Sequence, residues 1–373
     1  MDDISKDVKE DRRVTEPEGG EATGRKRARS LKPLALLWPY VRRHPLTVGM
    51  ATVFLLLGTV VALFIPILFG SAVDTGAGKE APLAEQLSSI NHNFLLVFLA
   101  AILLGLVSAA RFFFVSRFGE RVAADLRTDL YAHLLGLSPR FHAGMRSGEA
   151  VSRLTADITL IQTFLGSTAS MALRTLLSTV GALVMMFVIN WKLGGTLLLI
   201  IPVAIVPVMI IGRIVRRLSN TAQAELARAG GEASEALDTV ELVQAYGREP
   251  GRLANFSDAV EATFRAAMAR IKVRSVMTLF VSVLFFGGIT GVLWLGARAV
   301  AMEGMTPGDL TSMVLYALYA GSGLGMLAEA YGEVMRAAGA ADRAAEILAT
   351  TPEIAAPDHP VAMPQPATGA LRF

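Results

Sequence analysis

The chain contains no cysteine. That excludes disulfides, thiolate metal sites and cysteine nucleophiles, so neither thiol redox chemistry nor a cysteine zinc framework is available. Charge is scarce as well: 18% of the 373 residues are Asp, Glu, Lys or Arg, against 53% hydrophobic, and the mean hydropathy is +0.49. A soluble surface cannot be assembled from such a composition. A phosphate cradle is also missing. The motif G-x-x-x-x-G-K-[ST] supplies backbone amides and a Lys for the phosphates and a hydroxyl for magnesium. Here Gly78-Lys79 is followed by Glu80, and nothing else in the sequence comes close. The chain therefore carries no ATPase motif of its own, and no residue is assigned as catalytic, cofactor-binding or metal-ligating.

What is abundant is apolar length. Segments 47–71, 94–114, 170–190, 193–213, 277–299 and 309–329 each suffice to cross a hydrocarbon core. The expected fold class is an all-α membrane protein with six transmembrane helices and long cytosolic helical extensions.

Lys and Arg concentrate in every second gap. The gaps after the first, third and fifth segments hold little beyond Lys79 and Lys192, with Arg298 just before the last of them. The other side carries Arg25 to Lys32, Arg42, Arg43, Arg117, Arg121, Arg127, Arg140, Arg146, Arg153, Arg213, Arg216, Arg217 and the bases up to Arg274. Both termini are expected in the cytoplasm of a multi-pass bacterial plasma-membrane protein. The net charge of +3 and pI near 9.2 reflect topology, so no nucleic-acid partner is expected.

Residues 1–30 are charged and without an apolar run, which describes a disordered cytosolic tail. From Leu31 to His44, Leu34, Leu36, Leu37, Trp38 and Tyr40 stand among bases, as in an interfacial helix on the inner leaflet, although Pro33 and Pro39 weigh toward irregular chain.

The cytosolic gaps carry amphipathic periodicity. Val115, Phe118, Val122, Leu126, Leu130, Leu134 and Leu137 recur at three-and-four spacing, with Gly119 the weak point before Gly136 and Pro139. The second span should continue as one helix far into the cytosol. A similar pattern follows the fourth span at Leu218, Ala222, Leu226, Ala229, Ala233, Leu237 and Val240, with Gly230 and Gly231 as a soft spot. It returns at Phe256, Val260, Phe264, Met268 and Ile271. The extensions make a stalk with two tips. One is 138–154, with Ser138 as cap, Gly144 and Gly148 as breakers and an exposed Phe141. The other is 241–253, with Tyr246, Gly247, Pro250 and Gly251.

At these tips the chain resembles the transmembrane domain of ABC exporters, in the subfamily of lipid A and multidrug half-transporters and antigen-peptide transporters. The resemblance rests on F-H-x-x-x-R-x-G-E-x-x-S-R-L-x-x-D at 141–157, E-A-L-D-T-V-E-L-V-Q-A-Y-G-R-E at 235–249, and G-D-L-T-S-M-V-L-Y at 308–316 with A-A-G-A-A-D-R-A-A-E-I-L at 337–348. It implies a six-helix domain over 31–349 that pairs with a second half-transporter, identical or not, and sits among membrane lipids. It also implies two coupling helices that dock on ATPase domains, with Phe141, Arg146, Gly148, Glu149 and Arg153 in the first contact. Glu235, Val240, Val243, Tyr246, Gly247 and Glu249 belong to the second. Relatives often have bases where this chain has Glu241 and Gln244.

ATP and magnesium would then act through a nucleotide-binding domain absent from these residues. The resemblance places its opening strand near the end of 350–373, which leads to the expectation of a fragment rather than of a separate ATPase polypeptide.

The spans suggest an apolar or amphipathic cargo, because the first, fourth and fifth hold no formal charge over most of their length. Arg111 and Arg174 lie within the second and third spans near the cytosolic end and read as snorkelling or headgroup-gripping residues. Arg174, Gly321, Gly323 and Gly325 are candidate cavity or hinge positions, the glycines equally well explained by close packing. Glu329 and Glu333 end the sixth span, and Pro66, Pro202 and Pro207 are candidate kinks. Two other classes stay open at this stage: an ion-coupled secondary transporter or channel of six helices, and a membrane scaffold.

Overall fold

The structure, a computed structural model, describes residues 31–77, 83–145 and 147–353, without the side chains at 77, 83–86, 147, 197, 200–205 and 324. The tail at 1–30, Lys79, Arg146 and the segment 354–373 lie outside the described residues. Every regular element among those described is helical. A tight turn at Lys32–Leu37 runs into α1 (Trp38–Arg43), then α2 (Pro45–Ala77) and α3 (Leu83–Gly136). The short α4 (Pro139–Gly144) leads to α5, the helical run 147–189. After it come α6 (Trp191–Asp238), α7 (Val240–Ala245), α8 (Glu249–Met302) and α9 (Pro307–Ala349).

Helices α2, α3, α5, α8 and α9 are long and apolar enough to cross a membrane. The fourth expected span, 193–213, lies inside α6, which is helical throughout; some of its side chains fall outside the described residues. The loop after the first span is shorter than expected, since α2 continues to Ala77 and α3 begins at Leu83. No break marks Gly230 and Gly231, so the expected soft spot there is corrected: neighbouring Ala, Glu and Arg favour helix enough to carry two glycines. The interfacial segment is helical despite its prolines, each of which sits in the first turn of its element, where an N–H is not required.

The chain divides into two compact units, of which the first combines residues up to 60 with 102–176 and those from 325 onward. Its core is the apolar stripe of α3. All seven periodic positions, Val115 to Leu137, are buried. They meet Leu37 and Tyr40 of the interfacial segment, Ile158 and Ile161 of α5, and Ala340, Ala341 and Ile347 of α9. Burying one Leu of this kind contributes about 1.5–3 kcal/mol, so the stripe holds the unit together.

Where α3 crosses α5, Gly119 faces Gly166: a Cβ on Gly119 would lie 2.5 Å from the Gly166 Cα. Around Gly166 the helix widens into a π turn, Phe164–Thr168, and an earlier one spans Arg153–Asp157. An inserted residue of this sort shifts the faces on either side of it. The Ser116 hydroxyl donates to the Gly166 carbonyl at 3.4 Å across the crossing.

The second unit covers 61–101 and 177–324. Its core joins Ala182 and Met186 of α5 to Val292, Met313 and Tyr316. Beside Pro66, which removes one donor from the α2 ladder, Tyr316 donates its hydroxyl to the Leu63 carbonyl at 2.5 Å and Ser312 donates to the Pro66 carbonyl at 2.8 Å. Asp74 of α2 accepts from the Gly308 N–H at 2.6 Å and from the Thr306 hydroxyl at 2.8 Å, which satisfies free donors at the start of α9. The turn into α6 is capped by Asn190, whose side-chain Oδ1 accepts from the N–H groups of Lys192 and Leu193.

Within this unit α6, α7 and α8 form a helical arm. Its seam uses small residues, Ala222, Ala229 and Ala259, all buried. The large periodic residues Leu226, Leu237, Phe256, Val260, Phe264 and Ile271 stay exposed.

Candidate functional site

The two tips present the residues that the sequence singles out. At the first, Ser138 stands at the start of α4 with extended backbone, ψ 151°, but its hydroxyl makes no capping bond; the expected cap is corrected to a backbone turn, in which the Ser138 carbonyl accepts from the Phe141 N–H at 3.0 Å. The ring of Phe141 is half-buried and packs against the core of the first unit, so its expected exposure is also corrected. Its neighbour His142 bonds the Leu134 carbonyl through Nε2 at 3.0 Å, which ties α4 back onto α3. Helix α4 ends at Gly144, as the glycine suggests, whereas Gly148 lies inside the first turn of α5 and breaks nothing.

From there Glu149, Arg153 and Asp157 follow at four-residue spacing, which puts them on one helix face. Arg153 holds Glu149 at 2.6 Å and donates to the Arg343 carbonyl of α9 at 3.5 Å. Asp157 receives the Arg343 guanidinium through two bonds, at 2.8 and 2.5 Å. The hydrogen bonds it donates to Asp157, and the charge of that carboxylate, push the Arg343 guanidinium above the usual arginine range, against partial burial. One turn beyond Glu346, His133 of α3 bonds the Thr350 carbonyl at 3.0 Å, at the end of α9. Glu149 and Arg153 thus serve a clamp that fixes the C-terminal end of α9, and the side chain of Arg153 is only 18% exposed.

Sequence reasoning missed this clamp. The signal was available in principle: Asp157 ends one quoted motif and Arg343 sits inside another, with opposite charge.

The second tip is built differently. Helix α7 closes with the Gly247 N–H bonded to the Gln244 carbonyl at 3.1 Å and the Arg248 N–H bonded to the Val243 carbonyl at 2.9 Å. This paired closure requires a left-handed residue, and Gly247 supplies it with φ +59°. Glu235 accepts from Arg252 at 2.8 Å and so ties α6 to α8 below the tip. Glu249 begins α8, where a carboxylate complements the positive end of the helix. Val243 is half-buried, Val240 is exposed, and Tyr246 is 75% exposed beside an exposed Leu242.

In the spans, Arg111 donates to the Ser170 hydroxyl at 2.8 Å, and the Nε atoms of Arg111 and Arg174 are buried without a partner among the described residues. Glu333 accepts from the Thr168 hydroxyl at 2.5 Å and pairs with Arg336 at 3.5 Å. Helix α9 runs unbroken through Gly321, Gly323 and Gly325; Gly321 lies against the Phe285 ring, Gly323 is buried and Gly325 faces open space.

Helices of this length, five of them long and apolar enough to cross a membrane and carried past their apolar spans, define a multi-span helical membrane protein with long helical extensions. Residues 48–322 match the model of the ABC transporter transmembrane region, and the chain belongs to that family. A protein of Rickettsia conorii named as an export ATP-binding/permease protein is 24% identical over 322 residues, which is 86% of this chain and 55% of that protein. A Rickettsia bellii protein of the same description is 24% identical over 290 residues, 78% of this chain and 50% of its own length. The mitochondrial ATP-dependent permease MDL1 of Schizosaccharomyces pombe is 29% identical over 317 residues, 84% of this chain and 43% of that permease. The chain spans about half the length of the curated relatives it matches.

Proposed function

We propose that the chain is the membrane domain of an ATP-driven exporter, which moves an apolar or amphipathic substrate, lipid or drug-like, out of the cytoplasm by alternating access. The observation that carries this reading is the arm of α6 to α8: it seals itself with alanines and leaves its large apolar residues and Tyr246 uncovered. A second half-transporter, identical or not, covers the arm in an exchange of helices, and the tip at α7 docks on an ATPase domain. The first tip makes the matching contact through α4 and through Arg146, Gly148 and Glu149. ATP and magnesium bind the ATPase domain, not this chain. Closure of that domain displaces α4 and α7, and the unbroken helices carry the displacement to the spans. The concentration of bases in every second gap between the spans supports a reading with both termini in the cytoplasm, at a bacterial plasma membrane. The relatives' names, which join export, ATP binding and permease, support the same assignment.

The test joins the chain to its ATPase domain, in one polypeptide or as a separate subunit, in proteoliposomes. ATP-dependent transport is expected, and Phe141→Ala combined with Tyr246→Ala should leave ATP hydrolysis running without transport. Transport driven by an ion gradient alone, or coupling unchanged in the double variant, would overturn the reading.

A further inference from the structure

At the cytosolic mouth of the first two spans, His44, the start of α2 and α3 border an open hollow of about 640 Å³ lined by His44, Thr47, Arg117, Phe118, Glu120 and Arg121. Volumes of a few hundred Å³ are typical of small-molecule pockets. Its depth follows from the sequence: α2 turns apolar at Leu46, 85% exposed beside the hollow, and the apolar run of α3 ends at residue 114, three before Arg117. The hollow therefore lies where acyl chains give way to headgroups.

Its polar groups are unevenly used. His44 bonds Asp125 at 2.9 Å, and Arg121 reaches the other oxygen of Asp125 at 3.3 Å. Glu120 accepts one bond, from the Gln162 amide at 2.7 Å. Among the described residues neither the Arg117 guanidinium nor the Thr47 hydroxyl has a hydrogen-bonding partner. Leu46 and Thr47 also belong to the first turn of α2, whose N–H groups have no acceptor within the helix and favour an anion. The hollow thus offers unused donors for a phosphate at Arg117, Thr47 and the start of α2, an unfilled carboxylate oxygen for a cation at Glu120, and an apolar surface at Phe118.

We propose that this hollow seats the headgroup of an inner-leaflet phospholipid that carries a primary ammonium. The phosphate lies against Arg117, Thr47 and the start of α2, and the ammonium donates to Glu120. A trimethylated ammonium has no N–H for that carboxylate, and a glycerol headgroup has no positive charge, so the site discriminates by chemistry. It is separate from the coupling tips and does not depend on the exporter reading.

The test uses the purified chain in detergent. It is titrated with phosphatidylethanolamine, phosphatidylcholine and phosphatidylglycerol of matched acyl chains, and retention is read by native mass spectrometry. O-phosphoethanolamine and inorganic phosphate serve as soluble competitors. Phosphatidylethanolamine should be retained over both other lipids, and Arg117→Gln should lower its retention about tenfold, as the loss of a charged hydrogen bond implies. Glu120→Gln should bring phosphatidylethanolamine down to the level of phosphatidylcholine and leave the latter unchanged. Arg117→Lys, with helical content checked by circular dichroism, should keep most of the binding and so separates site loss from misfolding. Equal retention of the three lipids, or no effect of Arg117→Gln, would overturn the proposal. Displacement by inorganic phosphate alone would replace it with a free-anion site. A cross-link from position 117 to a second copy of the chain would replace it with a chain-to-chain contact.

Discussion

Arg343 and Asp157 meet as a two-pronged ion pair, Nε to Oδ2 at 2.8 Å and Nη2 to Oδ1 at 2.5 Å, where the first π turn of α5 faces the C-terminal end of α9. Asp157 is 12% exposed and Arg343 is 47% exposed, so the carboxylate is the partner that suffers when the pair is broken. Around it Arg153 and His133 add bonds to the carbonyls of Arg343 and Thr350. The last turns of α9 are thereby fixed to α5 and α3.

Arg343→Ala strands the Asp157 carboxylate and should cost about 1.5–3 kcal/mol in thermal unfolding of the detergent-solubilised chain. Combining it with Asp157→Leu should recover part of that loss, because the stranded charge is gone. The raised Arg343 value predicts no weakening of this pair as pH rises through the usable range. A loss below half a kcal/mol for Arg343→Ala would show that the clamp does not hold α9.

Glycine at the α3 and α5 crossing is needed for approach, not for backbone freedom. Gly119→Ala should force the helices apart and cost about 1–3 kcal/mol, the range for overpacking. Gly230→Ala supplies the contrast: nothing lies within 4 Å of the added Cβ, and α6 is helical there. It should stabilise by up to about 1 kcal/mol through helix propensity. Similar effects of the two substitutions on the melting temperature would contradict the crossing geometry.

Tyr40 provides a pH-dependent test outside the spans. Burial, followed by a hydrogen bond to Asp129, pushes its phenol up to about 12 from the usual 10. The folded value is the higher one, so the folded state favours the protonated ring. The contribution is fully present below pH 10 and is lost between about pH 10 and 12. Tyr40→Phe should therefore flatten the fall in thermal stability across that window. A fall of the same size in wild type and variant would assign alkaline unfolding to other groups.

The stalk core was legible because α3 obeys one rule over seven positions, and every one of them is buried. The same rule applied to α6 and α8 found helices but not their packing. The seam there runs through Ala222, Ala229 and Ala259, while Leu226, Phe256 and Phe264 remain uncovered in the single chain. Periodicity identifies an apolar face; it does not say which molecule covers it. Gly119 read as a weak point for the same reason, since its partner Gly166 lies on another helix and only the crossing reveals the need for both. At the tips, the motifs located the right segments, but the half-buried Phe141 and the engaged Arg153 depend on long-range contacts with the α3 core and with α9.

The last prediction separates structure from contact at the second tip. Tyr246 is 75% exposed, so Tyr246→Ala should change thermal stability by no more than about 0.5 kcal/mol. Gly247 stands at φ +59° and closes α7 through two backbone bonds, so Gly247→Ala should cost about 1 kcal/mol although nothing crowds the added Cβ. In the assembled transporter the order of effects should reverse in kind. Tyr246→Ala should lower transport per ATP hydrolysed in a protein as stable as wild type, because a ring this exposed has little packing in its own arm to lose. Gly247→Ala should lower stability and transport together, because it reshapes the turn that presents the ring. If Tyr246→Ala instead melts early and couples normally, the tyrosine is a packing residue of the arm and α7 does not dock through it.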